Sequence, residues 1–444
     1  MFGSTSSRSR EHRLTDASAH RSANGRDRFQ AGTAAQRAVN PAPRILLADA
    51  DAFFAAVARF VDPEGAGKAK LLVVGGSRGS RGVVCSASWE ARQYGVRSAM
   101  SIARAEKLCP QAMFVPVPGK ACGIKSREIR AVLERFTPIV SGASVDEWYM
   151  DMGGTEAVYH NESLRDTAHR IRSAVKRETG MSISIGGGTN RLVAKMAVER
   201  AKPKPGTTAD GVHIVAPGAE AEFLRTFNLA DIPMVGPKFQ AKLASLGMVT
   251  VPDLLRHDIV SLRRVLGINA AEWLWDRARG IGGSEVEGQY DRKSMSRDET
   301  FAVDLSKDED LERELLGLVT KAAWDLRQGG FTARTITVKL RDGDFRTRSA
   351  RRTLSKPVVS DRVIMDTARD LLQKLRGARR VPARLIGVAL SSLSEDPRAD
   401  QLNLFASDDQ RLETDRDLTI ARTVDRVRRK FGAKGILPGA LIEE

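Results

Sequence analysis

Cysteine is scarce in this chain. Cys85, Cys109 and Cys122 are spread through 444 residues without CxxC spacing. That excludes a disulfide framework or a zinc site on paired cysteines, and points to a reducing compartment, the cytoplasm. Long apolar runs are also missing. No stretch approaches the roughly 18 residues of a membrane span, and the first forty residues hold Ser, Arg and Ala with no apolar core of a secretory signal. Acidic side chains are outnumbered: 55 Asp and Glu face 71 Lys and Arg, a formal net charge of +16. Such a surplus favours a polyanionic partner through phosphate contacts and counterion release, with solubility alone as the plainer reading.

Residues 1–42 are poor in large apolar side chains and read as a disordered basic tail. Order begins near Pro43, where Ile45-Leu46-Leu47 runs into Asp49 as a buried strand does. The pattern predicts a helix over 52–60, strands over 71–74 and 82–86, and a strand pair around a tight turn over 144–152. Helices are expected over 164–179 and 191–200, with a strand over 183–185 between them. Lys202-Pro203-Lys204-Pro205-Gly206 breaks the pattern near the end of a first domain, 43–218, and a smaller helical region follows over 219–285. From 292 to 395 the character is that of a half-exposed sheet. Thr335-Ile336-Thr337-Val338-Lys339-Leu340-Arg341 alternates strictly, 385–390 does so in part, and helices over 311–328 and 361–375 cover one face. Residues 396–444 turn polar and tail-like, although 412–431 has the pattern of a basic amphipathic helix of open role. The expected class is α+β.

Asp49 ends an apolar strand, and Asp146-Glu147 lie in a second one. Phosphoryl transfer to a sugar hydroxyl needs hard oxygen ligands for two Mg²⁺ ions that clamp the attacking and leaving oxygens. Three carboxylates from neighbouring strands could supply them. Adjacent strand residues point to opposite faces, so Asp146 and Glu147 converge only if a turn or bulge intervenes, as is expected here. Two surface acids at a hairpin are the bland reading of the same spacing. Asp51 reads as the N-cap of the helix beginning at Ala52, though it too could join the acids.

Four segments in order carry a family resemblance: Asp49-Ala50-Asp51-Ala52-Phe53-Phe54-Ala55-Ala56-Val57, Arg81-Gly82-Val83-Val84, Ala91 to Met100, and Ser144-Val145-Asp146-Glu147. The chain resembles the Y-family DNA polymerases from about Arg44 to Leu393, most nearly their bacterial members. The resemblance implies a right-hand polymerase with palm, small fingers, a helix-hairpin-helix thumb and an α/β little-finger domain. It implies that Asp49, Asp146, Glu147 and the backbone carbonyl of Ala50 bind the two Mg²⁺ ions, the carboxylates being catalytic.

Phe53 and Phe54 would more often be core. In this motif Phe54 is implied to be the gate whose flat ring leaves no room for a 2′-hydroxyl, with Phe53 beside it at the nucleotide. Ser86, Arg92 and Lys195 are implied to hold the triphosphate, Lys195 within Gly186-Gly187-Gly188-Thr189-Asn190-Arg191-Leu192-Val193-Ala194-Lys195, whose glycines permit close backbone approach before a helix. Trp89 stands where the family usually has a phosphate-contacting Tyr, and can donate only through its indole N–H. Trp148 replaces a usually small residue beside the metal site.

DNA contacts are expected from Val235, Gly236 and Lys238, in a segment resembling the hairpin of a helix-hairpin-helix, and from Lys339, Arg341, Arg346 and Arg348 around the alternating strand. Gln401, Leu402, Leu404 and Phe405 resemble the peptide with which bacterial polymerases dock on the sliding clamp. The expected activity is addition of dNTPs to a primer 3′-OH with low fidelity, lesion bypass and no proofreading. The expected protein is a monomer that binds primer–template DNA, dNTPs and the clamp but no membrane, acting in the cytoplasm at the nucleoid. A catalytically silent accessory DNA-binding protein and a nucleotidyl cyclase are the rival readings. Retention of all three carboxylates argues against the first, and the 232–238 hairpin against the second.

Overall fold

Six consecutive buried residues, ILLADA, form β1 (Ile45–Ala50), the middle strand of a five-stranded sheet. The structure, a computed structural model, describes residues 42–204, 206–286, 292–395 and 412–442. The expected clamp peptide, Gln401 to Phe405, lies outside them, as does the tail up to residue 41.

After β1 come α1 (Phe53–Val61), then β2 (Leu72–Val74), β3 (Ser86–Ala87), α2 (Trp89–Gln93), α3 (Ile102–Leu108) and β4 (Met113–Val115). The strands β3, β2 and β4 make a small sheet in that order, with Val73, Val84, Ala91, Ile102 and Ala105 as its core. The strand expected over 82–86 shrinks to β3, since Val83 forms only an isolated bridge to Ser101. The chain then returns to the large sheet through α4 (Gly119–Leu133), β5 (Val140–Gly142), β6 (Glu147–Asp151), α5 (Leu164–Thr179), β7 (Ile183–Gly188), α6 (Arg191–Ala201) and β8 (Val212–Ile214). The order is β5-β6-β1-β7-β8, with β1 antiparallel to both neighbours.

Strand alternation divides β1 between two layers. Leu46, Ala48 and Ala50 pack with Ile129 of α4 and Ile171 and Val175 of α5. Ile45 and Leu47 pack with Ala194 and Val198 of α6. Asn190 starts α6, its side chain accepting from the Val193 amide at 3.0 Å, a cap worth about 1 kcal/mol. The glycines expected to permit close backbone approach before a helix lie against the rest of the fold. They continue β7, and a Cβ at Gly186 would lie 2.1 Å from the Val198 nitrogen and 2.3 Å from the Ala194 carbonyl oxygen. Gly186 thus meets the backbone of α6, while a Cβ at Gly187 would meet the Ile214 and Leu46 side chains and one at Gly188 the Val193 side chain.

A helical region follows, α7 (Glu220–Arg225), whose Leu224 packs on α6, then α8 (Pro237–Ser245), α9 (Val251–Leu255), α10 (Ile259–Leu266) and α11 (Ile268–Ala278) around Leu243, Leu254, Leu262 and Leu274. The C-terminal part is β9 (Ser294–Leu305), α12 (Asp308–Gln328), β10 (Thr332–Asp342), β11 (Thr347–Val358), α13 (Asp361–Ala378) and β12 (Ala383–Ser394). Its four strands are antiparallel, in the order β11-β10-β12-β9. Ile336, Val338 and Leu340 face α12 and α13, which leaves Thr337, Lys339 and Arg341 on the open face.

The polar tail expected beyond 396 does not persist through 412–442. There the chain forms α14 (Asp415–Phe431), docked across α12 and α13. Arg327 of α12 forks onto Asp425 with two contacts of 2.8 Å, and Arg362 of α13 forks onto Asp417 with two of 2.7 Å. The Glu413 carboxylate accepts from the Val359 and Ser360 amides. The acids that make the segment look solvated are the partners of these arginines and amides.

Candidate active site

Asp49 and Glu147 are direct partners in the antiparallel ladder of β1 and β6, so their side chains share the α6 face. Lys195 lies over them. Its Nζ donates to Glu147 Oε1 at 2.6 Å and stands 3.5 Å from Asp49 Oδ2. Lys202, two turns on, reaches the same Asp49 oxygen at 3.0 Å and Glu199 Oε1 at 2.7 Å. Burial pushes the Asp49 carboxyl up to about 6 against the pull of Lys202 and Lys195, leaving it ionised at neutral pH. Burial works against the charged form of Lys202, yet the Asp49 and Glu199 carboxylates hold its pKa above the ordinary value.

Asp146 is not gathered with the other two acids. It ends the bend before β6, where its carboxylate takes the Ser144 hydroxyl and its amide donates to the same oxygen at 3.2 Å. Among the described residues no group of three or more His, Cys, Asp or Glu is assembled for a metal. Asp49 and Glu147 are nonetheless hard oxygen donors facing one another, and two ammonium groups already rest against them. The donor set suits a divalent cation.

Asp51 does not cap α1. The helix starts after Ala52, whose φ of 48° is left-handed, and Asp51 instead accepts from the Ser182 and Ser184 hydroxyls at 2.8 and 2.7 Å. Phe53 is 2% exposed within the core under the sheet, which removes it from any nucleotide contact. Phe54 is half-buried, its ring edge-on to Phe53 at 5.6 Å. Trp148 occupies the opposite face of β6 from Glu147 and is buried among α4 and α5 side chains. A large residue there fills the core and leaves the carboxylates alone.

Beside the carboxylates a cleft of about 730 Å³ opens between α2 and the end of α6, lined by Trp89, Arg92, Arg97, Lys202 and Lys204 among others. The Arg92 guanidinium lies 5.0 Å from the centroid of Trp89 and donates to the Ala87 carbonyl at 3.1 Å. Ser86 is buried in β3 and does not line the cleft. Lys202, Glu199, Arg97 and Lys204 were not expected here. The signal was available for two of them, because 195, 199 and 202 share one helix face.

Residues 48–199 match the impB/mucB/samB family, and residues 292–404 match the C-terminal domain of that family. A DNA polymerase IV of Gluconobacter oxydans is 35% identical over 365 residues, 82% of this chain and 99% of the relative. One of Caulobacter vibrioides is 35% identical over 396 residues, 89% of this chain and 93% of the relative. The chain belongs to the Y-family DNA polymerases. Among solved structures, a Y-family polymerase chimera of Dbh and Dpo4 shares the fold, with a TM-score of 0.69 at 24% identity over 80% of this chain and 100% of that one.

This Y-family member is a DNA-directed DNA polymerase of a divalent-metal-dependent family. Of the residues expected at its DNA, Gly236 and Lys238 are exposed at the start of α8, while the Val235 side chain is buried in the helical core. Lys339 pairs with Asp298 on the open sheet face, and Arg341 Nε donates to Thr347 Oγ1 at 2.8 Å. Arg346 is exposed in the hairpin between β10 and β11. Arg348 is turned away. It is the register partner of Leu340, on the helix side, where it donates to the Leu375 carbonyl and pairs with Asp342.

Proposed function

We propose that this polymerase adds dNTPs to a primer 3′-OH with low fidelity, bypassing template lesions, and that two Mg²⁺ ions at Asp49, Glu147, Asp146 and the Ala50 carbonyl serve the reaction. The observation that carries the reading is the facing pair Asp49 and Glu147 with Lys195 bridging them. Metal held there would neutralise phosphate charge and favour loss of the 3′-hydroxyl proton. Asp146 joins the pair by giving up Ser144. Lys195 and Lys202 turn from the carboxylates toward the triphosphate, joined by Arg92 and Arg97 from across the cleft. Trp89 braces Arg92 against its ring, and Phe54 excludes the 2′-hydroxyl.

In this reading residues 43–218 are palm and fingers, 219–285 the thumb, and 292–395 the little finger. The thumb grips duplex backbone through Gly236 and Lys238, the little finger through Lys339, Arg341 and Arg346. Gln401 to Phe405 docks on the sliding clamp. The protein works as a cytoplasmic monomer on the nucleoid. Primer extension on matched damaged and undamaged templates is the test. Insertion opposite the lesion at a rate near that on intact template supports bypass, and a complete stop one base before every lesion tried would refute it.

A further inference from the structure

Arg422, Arg426 and Arg429 fall on one exposed stripe of α14, at i, i+4 and i+7. None has a hydrogen-bond or ion-pair partner among the described residues. The arginines of α12 and α13 that meet this helix are treated differently: Arg327 and Arg362 each fork onto one of its carboxylates. Like charges at helical spacing repel one another, so this stripe is a liability that folding alone does not explain. The helix is also held rigidly by the Asp417 and Asp425 forks, which keeps the three guanidinium groups in register without a ligand.

A groove of about 990 Å³ opens where Arg428, on the buried face of the same helix, meets α12, and it is lined also by Arg313, Lys321, Trp324 and Lys434. Trp324 is half-buried and also lines an adjoining groove of about 470 Å³ along the edge strand β9, with Arg292 and Ser296. The Thr320 side chain lines the larger groove, and its hydroxyl is buried with no partner among the described residues. Cations outnumber the two acids of the larger groove, Glu314 and Asp325.

We propose that the stripe and groove bind single-stranded DNA, as a second nucleic-acid surface of this polymerase. Phosphates would lie along the guanidinium stripe while a base stacks on Trp324, the combination by which unpaired strands are held without sequence preference. A duplex hides its bases in the stack and could use only the cations. The site is separate from the duplex surface, because α12 and α13 stand between α14 and the open face that carries Lys339 and Arg341. The stripe itself lies beyond both family matches, the second of which ends at 404, whereas the groove's α12 residues fall within that second match.

The test uses the whole chain, labelled oligothymidylate and anisotropy across a salt series. Replacing Arg422, Arg426 and Arg429 together by Ala should flatten the salt slope by about 2, and replacing them by Lys should preserve it. Trp324→Ala should weaken oligothymidylate binding by about fivefold or more, and Trp324→Phe should restore most of it. Extension of a primer with a short template overhang should stay unchanged in every variant. An unchanged slope in the Ala variant, equal binding by Trp324→Ala, or equally good displacement by polyglutamate would each overturn the proposal, the last by assigning the surface to an acidic protein. Loss of slope in the Lys variant as well would reduce the stripe to packing and overturn it too.

Discussion

Asp49 and Glu147 oppose each other in the β1–β6 register, and the single ammonium of Lys195 touches both carboxylates. Two acids so placed repel unless positive charge sits between them, and Lys195 with Lys202 supplies it in the folded protein. Glu147→Ala should therefore lower the extension rate by about a hundredfold or more while leaving DNA affinity nearly unchanged, because the loss is felt as charge develops in the transition state. Lys202→Ala should also slow extension. A Glu147→Ala enzyme within tenfold of the parent would end the assignment of these acids to chemistry.

Phe53 and Phe54 are sequence neighbours with separate consequences. Phe54→Ala should raise the ratio of rNTP to dNTP incorporation by opening space at the sugar. Phe53→Ala should cost about 3–5 kcal/mol of stability as a core cavity and leave the ratio alone. Denaturant titration beside the incorporation ratio distinguishes the two, and a ratio that moves only in Phe53→Ala would reverse their roles.

Binding to primed duplex should weaken steeply with salt. Lys339→Ala with Arg341→Ala should flatten that slope by about 2, whatever the template sequence. Arg348→Ala should lower the melting temperature without changing the slope, since its guanidinium is committed to Asp342 and Leu375. A slope change in Arg348→Ala would show that its side chain leaves the helix layer to meet DNA.

Parity decides much of what the sequence could convey. The open face of the last sheet was legible because alternation fixes which residues share a side, whereas Asp49, Glu147 and Lys195 came from the family resemblance and not from their spacing. Arg348 was misplaced by one such step: it lies on β11, where no alternating pattern gives the register away, and a shift of one residue changes the face. Trp148 looked like an intrusion for the same reason and proved to belong to the opposite layer. Lys202 was hidden in a Lys-Pro run that reads as a break, although it sits two turns along from Lys195. The partners of α14 could not be read at all, since Arg327 and Asp425 are 98 residues apart.

Acid should release α14 early. The Arg362 guanidinium bound to Asp417 holds that carboxyl well below the usual carboxylate range, and the side chain is only 10% exposed. A depressed folded pKa adds stability that is fully present above the unfolded value near 4 and is lost as pH falls toward the folded one. Hydrogen exchange should therefore show 415–431 losing protection below about pH 4 before β10 and β12 do. Asp417→Asn should bring the loosening to neutral pH. Simultaneous loss across the whole C-terminal part would contradict an independent clasp.

For the clamp peptide, Leu404→Ala with Phe405→Ala should abolish stimulation by the clamp and spare extension on short primers without it. Two such anchors are together worth more than about thirtyfold in affinity. Full stimulation of the double variant would place any clamp contact elsewhere.

The hydrogen atom that serves as the side chain of Gly186 sets how far one layer of this enzyme stands from the next. The helix resting on it carries Lys195 and delivers Lys202, whereas the carboxylates they meet belong to the sheet beneath. The meeting of acid and ammonium here is thus a tolerance between two floors of the building, and a single methyl group at 186 would act as a shim, lifting both lysines together while leaving each acid where it was.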